Sequence, residues 1–419
     1  LSRFTKLQIL YCWGNQLTSL PPNLPNSLQT LYCSNNKLIS LPNLPNSLHK
    51  LWCQDNQLIS LPNLPNLFKE LYCSDNKLTS LPDYIPNSLK ILDCSNNELT
   101  SLPDILSNSL QKLNCSNNKL TFLPDILSNS LQELNCRNNQ LTSLPDLSQS
   151  LQKLNCSCNP LTLLLNLPNS LLYLDCSDNK LTSLPDLPNS LQELHCDCNK
   201  LTLLLNLPNS LLYLDCGGNQ LTSLPPNLPD SLEILYCSWK NQLTLLPNLP
   251  NFLKELDCSD NKLTSLPSNL PNSLQKLSCD NNQLTSLPDT LPNSLQELNC
   301  RNNQLTSLPD LPNSLQELSC GDNLLTSLPN HLSNSLQELS CDNNQLIILP
   351  NLPTSLQILH CNENPLIILP NLPTSLQEFE YDNNPELEIV YPLLDNLKTI
   401  SEQQKYINER NNMIQNITE

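Results

Sequence analysis

Glycine is almost absent from this 419-residue chain, with four in all, and aromatic residues make up only 4% of it. So few glycines cannot build a glycine-rich phosphate loop, which argues against nucleotide chemistry of that kind. Positive charge is short as well: 21 Lys and Arg stand against 39 Asp and Glu, a net charge of −18. Long-range repulsion from such a chain disfavours nucleic acid and anionic lipid as partners. Long apolar runs are missing. The densest leucine clusters, Leu163–Leu165 and Leu203–Leu205, fall far short of the roughly 18 to 20 residues that cross a bilayer, so no membrane partner is expected. Histidine occurs only at 49, 195, 331 and 360, far apart and without a nucleophile partner. No catalytic residue, metal ligand or cofactor is assigned on this basis. Residue 1 is Leu and the only Met is Met413; further residues are expected before Leu1, and a cleaved targeting signal stays open.

Cysteine, by contrast, is plentiful and periodic. Eighteen of the twenty recur every 20 or 21 residues, at 12, 33, 53, 73, 94, 115, 136, 156, 176, 196, 216, 237, 258, 279, 300, 320, 341 and 361, and Tyr381 takes the next rung. A fixed period of this size is the mark of a solenoid in which each repeat contacts its neighbours. It predicts one elongated domain of about nineteen repeats over 1–390 and a short tail over 391–419.

One unit reads Leu28-x-x-Leu31-x-Cys33-x-x-Asn36-x-Leu38-x-x-Leu41-Pro42-x-Leu44-Pro45. Leu31 and Cys33, two apart, give the alternation of a short strand with one buried face. The short amide of Asn36 suits a hydrogen bond to the following turn and to the same turn of the next repeat. The paired prolines forbid helix and predict an extended, polyproline-like return path. Six buried apolar side chains contribute roughly 9 to 18 kcal/mol, against roughly 20 to 40 kcal/mol for ordering about 20 backbones, so no repeat stands alone.

The segment Leu28-x-x-Leu31-x-Cys33-x-x-Asn36-x-Leu38 resembles the leucine-rich-repeat signature, with Cys in place of one Leu, over about residues 7 to 390. The Leu-Pro-x-Leu-Pro-x-Ser-Leu linker is similar to the short repeats of YopM-type and IpaH-type effectors that pathogenic bacteria inject into host cells, and giant-virus leucine-rich proteins are similar too. The resemblance implies an α/β-class leucine-rich-repeat solenoid with short parallel strands on a concave face, extended convex segments and a C-terminal helix. It also implies a non-catalytic scaffold that binds a protein partner, with the host cytoplasm as one setting. IpaH-type relatives join such repeats to a large domain that transfers ubiquitin through a catalytic Cys; residues 391–419 after these repeats are too few to house one, and catalysis is not expected.

Positions flanking each ladder Cys face the open surface, and near the N-terminal end they hold Tyr11, Trp13, Tyr32, Trp52 and Tyr72. Tyr and Trp at exposed strand positions are common interface anchors, so these five are the candidate partner-binding residues. The competing reading is that the rings stack and shield the sheet. Beyond them the face turns polar and acidic, with Asp93, Asn114, Asn135, Asn155, Asp175, His195, Asp215, Tyr236 and Asp257. Carboxylates on both sides of His195 would favour a charged imidazole, though a plain solvated face is preferred. The ladder thiols are read as free, small hydrophobic core residues in a reducing cytoplasm. Cys158 and Cys198 lie off the ladder and are expected to be exposed.

Three irregularities stand out. The blocks 156–195 and 196–235 are near copies, so oddities they share count once. Cys237-Ser238-Trp239-Lys240-Asn241 carries one extra residue before the Asn column and predicts a bulge that pushes Trp239 or Lys240 outward. Leu163, Leu165, Leu203 and Leu205 replace linker Ser and Pro, and the linker is expected to repack inward around them. After Pro392, Leu393, Leu394, Leu397, Ile400, Ile407 and Ile414 recur at helical spacing and predict an amphipathic helix that caps the open end of the sheet. The function this supports is a monomeric interaction scaffold, with a self-associating structural or surface component as the alternative.

Overall fold

The computed structural model describes residues 4–418. Packing contacts group the chain into two compact units, Leu1–Thr202 with Asn206–Leu211, and Leu203–Leu205 with Leu212–Glu419. The first unit carries ten strands of three residues: β1 (Ile9–Tyr11), β2 (Thr30–Tyr32), β3 (Lys50–Trp52), β4 (Glu70–Tyr72), β5 (Ile91–Asp93), β6 (Lys112–Asn114), β7 (Glu133–Asn135), β8 (Lys153–Asn155), β9 (Tyr173–Asp175) and β10 (Glu193–His195). Each pairs in parallel with the next, one repeat per step. The second unit holds β11 (Tyr213–Asp215), β12 (Ile234–Tyr236), β13 (Glu255–Asp257), β14 (Lys276–Ser278), β15 (Glu297–Asn299), β16 (Glu317–Ser319), β17 (Glu338–Ser340), β18 (Ile358–His360) and β19 (Glu378–Glu380), paired in the same way.

The strands are short because only four residues, x-x-Leu-x, lie between the Leu that opens each turn and the Cys that closes it. From β2 through β18 the middle leucine is buried and its two neighbours are partly or fully exposed, buried Asp175 of β9 excepted, as alternation along a strand requires. The ladder cysteines from Cys33 to Cys361 are fully buried behind them. Within each unit the ladder Cys N–H groups donate to the next strand, as Cys33 does to the Trp52 carbonyl at 2.8 Å.

Two side-chain ladders hold the turns together. In the Asn column, Asn97 Nδ2 donates to the carbonyls of Cys73 (3.0 Å), Cys94 (3.1 Å) and Ser95 (2.9 Å), and its Oδ1 accepts from Leu78 N–H at 2.9 Å. Asn36, Asn139, Asn199 and Asn344 repeat the pattern. A second ladder runs through the linkers, where Ser47 Oγ donates to the Leu28 carbonyl at 2.6 Å and Ser210 Oγ to that of Leu191 at 2.6 Å. The residue before each ladder Asn takes a left-handed backbone, with φ of +52° at Asn35 and Asn96 and +53° at Asp55 and Asp75. Asn and Asp tolerate that conformation better than other side chains with a Cβ.

The linkers contain no helix, and their only regular pairing among the described residues is the bridge between Ile348 and Ile368. Here the inward repacking expected for the extra leucines fails. Leu163, Leu165, Leu203 and Leu205 are 50%, 62%, 50% and 66% exposed, while Leu164 and Leu204 between them are 6% and 2% exposed. An extended segment sends alternate side chains to opposite sides, so burying one leucine turns both of its neighbours outward.

The C-terminal helical segment begins earlier than the sequence pattern predicts. Helix α1 (Pro385–Val390) is followed by a single 3₁₀ turn at Leu394–Asn396 and then α2 (Ile400–Thr418). Leu394 and Ile407 are buried, whereas Leu393 is exposed. The α2 side chains reach the last linker: Asn408 Oδ1 accepts from Leu372 N–H (3.1 Å), Gln404 donates to the Pro373 carbonyl (2.8 Å), and Asn411 donates to the Leu369 carbonyl (3.0 Å).

Candidate functional site

Register places the N-terminal rings in one column. Tyr11 lies opposite Tyr32, Tyr32 opposite Trp52, and Trp52 opposite Tyr72. Ring centroids are 4.6, 4.4 and 4.9 Å apart with interplanar angles of 10°, 19° and 13°, so four rings form one continuous stack. The spacing of parallel strands is close to the contact distance of aromatic faces. Tyr11 is 64% exposed and its three successors are half-buried. Trp13 stands outside the stack in the turn after Cys12, 60% exposed.

Beside the rings, Lys50 Nζ lies 2.7 Å from Glu70 Oε1 and 5.9 Å from the Trp52 ring centroid. The hydrogen bond to Glu70 raises the pKa of Lys50. Burial, then the Glu70 charge, raises that of the Tyr72 hydroxyl. Tyr72 also forms one wall of a shallow cavity of about 730 Å³ on the same face, lined further by Asp93, Lys112, Glu133, Lys153 and Tyr173. Lys112 pairs with Glu133 at 2.9 Å. The site is therefore a ring stack leading into a polar groove of alternating charge.

The second unit differs. Its sheet face bounds a cavity of about 610 Å³ walled by Glu255, Asp257, Glu297, Glu317, Glu338 and Glu378, with Lys276 and His360 as the basic side chains in the lining. Lys276 pairs with Glu297 at 2.7 Å. Burial, reinforced by Glu297 and Glu338, raises the pKa of Glu317. Tyr236 donates to Glu255 at 2.7 Å and is pushed up to about 12 by burial and that bond.

His195 sits opposite Asp175 in register, and its ring lies 5.5 Å from that of Tyr173; Asp215 belongs to the second unit. All twenty cysteines are free. Burial raises the ladder thiols, Cys136 and Cys300 to about 12, and Cys136 Sγ donates to the Asn155 carbonyl at 3.4 Å. Cys158 and Cys198, expected on the surface, are half-exposed in the left-handed column with φ of +54° and +53°. Asp178 accepts from Cys158 at 3.6 Å. Cys198 is raised to about 12 by burial and then by Asp197 and Asp178.

The predicted bulge occupies two consecutive left-handed residues, Trp239 and Lys240, with Lys240 Nζ 4.1 Å from the Trp239 ring centroid. Asn241 keeps its place in the ladder. Across from it, a Cβ on Gly217 would meet the Ser238 carbonyl oxygen at 2.9 Å, so glycine there makes room for the bulge. The Ser ladder and this Gly217 complement escaped the sequence reading, although the recurring Ser before each opening Leu was a visible signal.

Leucine-rich-repeat family models match residues 5–46 and 272–313, and 88–108, 109–129, 130–149 and 252–272. Among solved structures, YopM from Yersinia enterocolitica is 35% identical over 90% of this chain and 91% of its own, with a TM-score of 0.82. YopM from Yersinia pestis, described as a leucine-rich effector protein, is 34% identical over 90% of this chain and 88% of its own, with a TM-score of 0.55. The functional domain of InlJ from Listeria monocytogenes, which includes a cysteine ladder, is 25% identical over 82% and 69%, with a TM-score of 0.56. A comparison with curated protein sequences finds no match. The chain belongs to the leucine-rich-repeat family, and its repeats are similar to those of YopM. This fold is typical of protein-interaction scaffolds, and no described helix is long and apolar enough to cross a membrane.

Proposed function

We propose that the chain is a non-catalytic scaffold that holds a protein partner on the sheet face of its first unit, with Tyr11, Tyr32, Trp52 and Tyr72 as anchors and Trp13 at their margin. The observation that carries this reading is the four-ring stack on a solvent-facing sheet, running into the groove at Tyr72. The stack limits the contact available: ring faces cover each other, which leaves ring edges, the hydroxyls and the Tyr72 ring at the groove for a partner. The work is cytoplasmic, in keeping with free, unreactive ladder thiols, and the scaffold acts as a monomer without nucleic acid, membrane or cofactor.

The test compares the intact chain with Tyr32→Ala, Trp52→Ala and Tyr72→Ala variants in affinity capture followed by quantitative binding to the captured protein. A true anchor loses about 2 kcal/mol or more, close to 30-fold in Kd. If the variants lose melting temperature and bind as the parent does, the rings serve only the sheet. Sedimentation over a range of concentrations addresses the alternative: oligomers that grow with concentration would favour the self-associating component.

A further inference from the structure

We infer that His360, Glu378 and Glu380 form a binding site for a divalent transition-metal ion of the Zn²⁺ class, with a coordination position left open toward solvent. One ligand atom from each residue lies within 4.8 Å of the other two, and among the described residues no other group of three His, Cys, Asp or Glu converges so closely. His360 Nε2 is 3.0 Å from Glu378 Oε1. A tetrahedral ion with N and O ligands at about 2.0 to 2.2 Å separates its donors by about 3.4 Å, so side-chain rotation alone closes this triad around an ion.

The backbone holds the donors in place. His360 ends β18 directly opposite Glu380, and the following Cys361 N–H donates to the Glu380 carbonyl at 2.9 Å. Glu378 and Glu380 flank Phe379 and therefore share the solvent side of the sheet with His360. A supporting shell is already built. Asn362 Nδ2 holds Glu380 Oε2 at 3.0 Å, and Asn362 Oδ1 in turn accepts from Asp382 N–H at 2.7 Å. Such outer hydrogen bonds orient metal-binding carboxylates.

The other strand with two flanking carboxylates, β13, shows the contrast. There Glu255 accepts from the Tyr236 hydroxyl and Asp257 from Ser259, and the residues opposite Asp257 are Tyr236 on the preceding strand and Ser278 on the next. At β19 the residue opposite is an imidazole. Imidazole with carboxylates suits Zn²⁺, Co²⁺ or Ni²⁺ and disfavours Ca²⁺ and Mg²⁺, which take oxygen ligands. The acidic column from Glu297 to Glu378 along the same face adds a field that concentrates cations. The sequence spacing, one His and a distant Glu-x-Glu, matches no metal motif; only the repeat brings the three together.

The experiment uses the full chain carrying Cys12→Ser, Cys158→Asn and Cys198→Asn, which removes the accessible thiols that would compete for the ion. Zn²⁺ is titrated calorimetrically, and Co²⁺ is read by its visible absorption. One bound ion is expected, with a tetrahedral Co²⁺ spectrum lacking thiolate charge transfer. Affinity should fall roughly 10- to 100-fold in His360→Ala and in Glu378→Gln/Glu380→Gln. His360→Gln replaces the alanine variant if that one shifts the melting temperature. Absence of binding, binding unchanged in these variants, or a thiolate charge-transfer band would each overturn the assignment.

Discussion

A ladder asparagine such as Asn97 makes four hydrogen bonds to backbone groups with one short amide. Truncating Asn97 to Ala leaves the buried Leu78 N–H without its partner, while the Cys73 and Cys94 carbonyls keep the amides of Asn76 and Asn118. A buried group left unpaired costs about 1 to 3 kcal/mol, so a loss of that size is expected in urea unfolding of Asn97→Ala. A loss below about 1 kcal/mol would mean that water replaces the amide. Gly217 offers a comparison of a different kind. Gly217→Ala drives a methyl to 2.9 Å from the Ser238 carbonyl oxygen, whereas Gly321→Ala meets the Asp342 carbonyl oxygen at 3.1 Å. Overpacking of this sort costs about 1 to 3 kcal/mol, and the larger fall in melting temperature belongs to Gly217→Ala; equal effects would show that the bulge is not what glycine serves. At this scale the sequence disclosed the Asn ladder, because an amide at a fixed place in a turn has few uses. It did not disclose the left-handed column beside it, because Asn-Asn reads as a turn without saying which residue is strained and which is buried.

Strand and linker were legible as elements for opposite reasons. Two-residue alternation marks the strand, and paired prolines remove the helix from the return path. The tail was less so. Its helical spacing was visible from Leu393 onward, yet Pro385 can open a helix because the first turn needs no N–H from it, and that start lies inside the nineteenth repeat. The element that matters is α2, whose Asn411 donates to the Leu369 carbonyl and accepts from the Tyr391 hydroxyl at 2.6 Å. We propose that it acts as the C-terminal cap. Ile407 is fully buried, and Ile407→Ala should cost about 2 to 5 kcal/mol. Hydrogen exchange would then speed up in the linker at 369–373 and in α1 while the first unit stays protected, as expected where each repeat depends on its neighbours. Unchanged exchange at 369–373 would end the capping role.

For the molecule as a whole, the period alone specified the repeat fold, whereas the distribution of charge over the sheet faces emerged only once register aligned residues twenty apart. Glu297, Glu317 and Glu338 are unremarkable in sequence and become an acidic column in space, with Lys276 paired to Glu297 at one end. Register also sets the pH response of the chain. Its ladder thiols are buried and neutral, raised by burial from an ordinary 9.0 to about 12 at Cys136 and Cys300 and well above 9.0 at Cys53 and Cys73. A pKa raised on folding contributes stability that is intact below the unfolded value and is lost as pH climbs toward the folded one. Above pH 9 the unfolded chain releases thiol protons that the folded chain keeps, so each fully buried thiol lowers stability by about 1.4 kcal/mol per pH unit until its own folded pKa is reached. With a whole column acting together, unfolding should set in steeply between pH 9 and 11, before most lysines titrate. Replacing four consecutive ladder residues, Cys258, Cys279, Cys300 and Cys320, by Val should blunt the slope in the second unit and move the alkaline midpoint upward in circular dichroism. A parent chain whose stability is flat from pH 8 to pH 11 would show instead that the thiols ionise within the folded state, and that the core around them admits water.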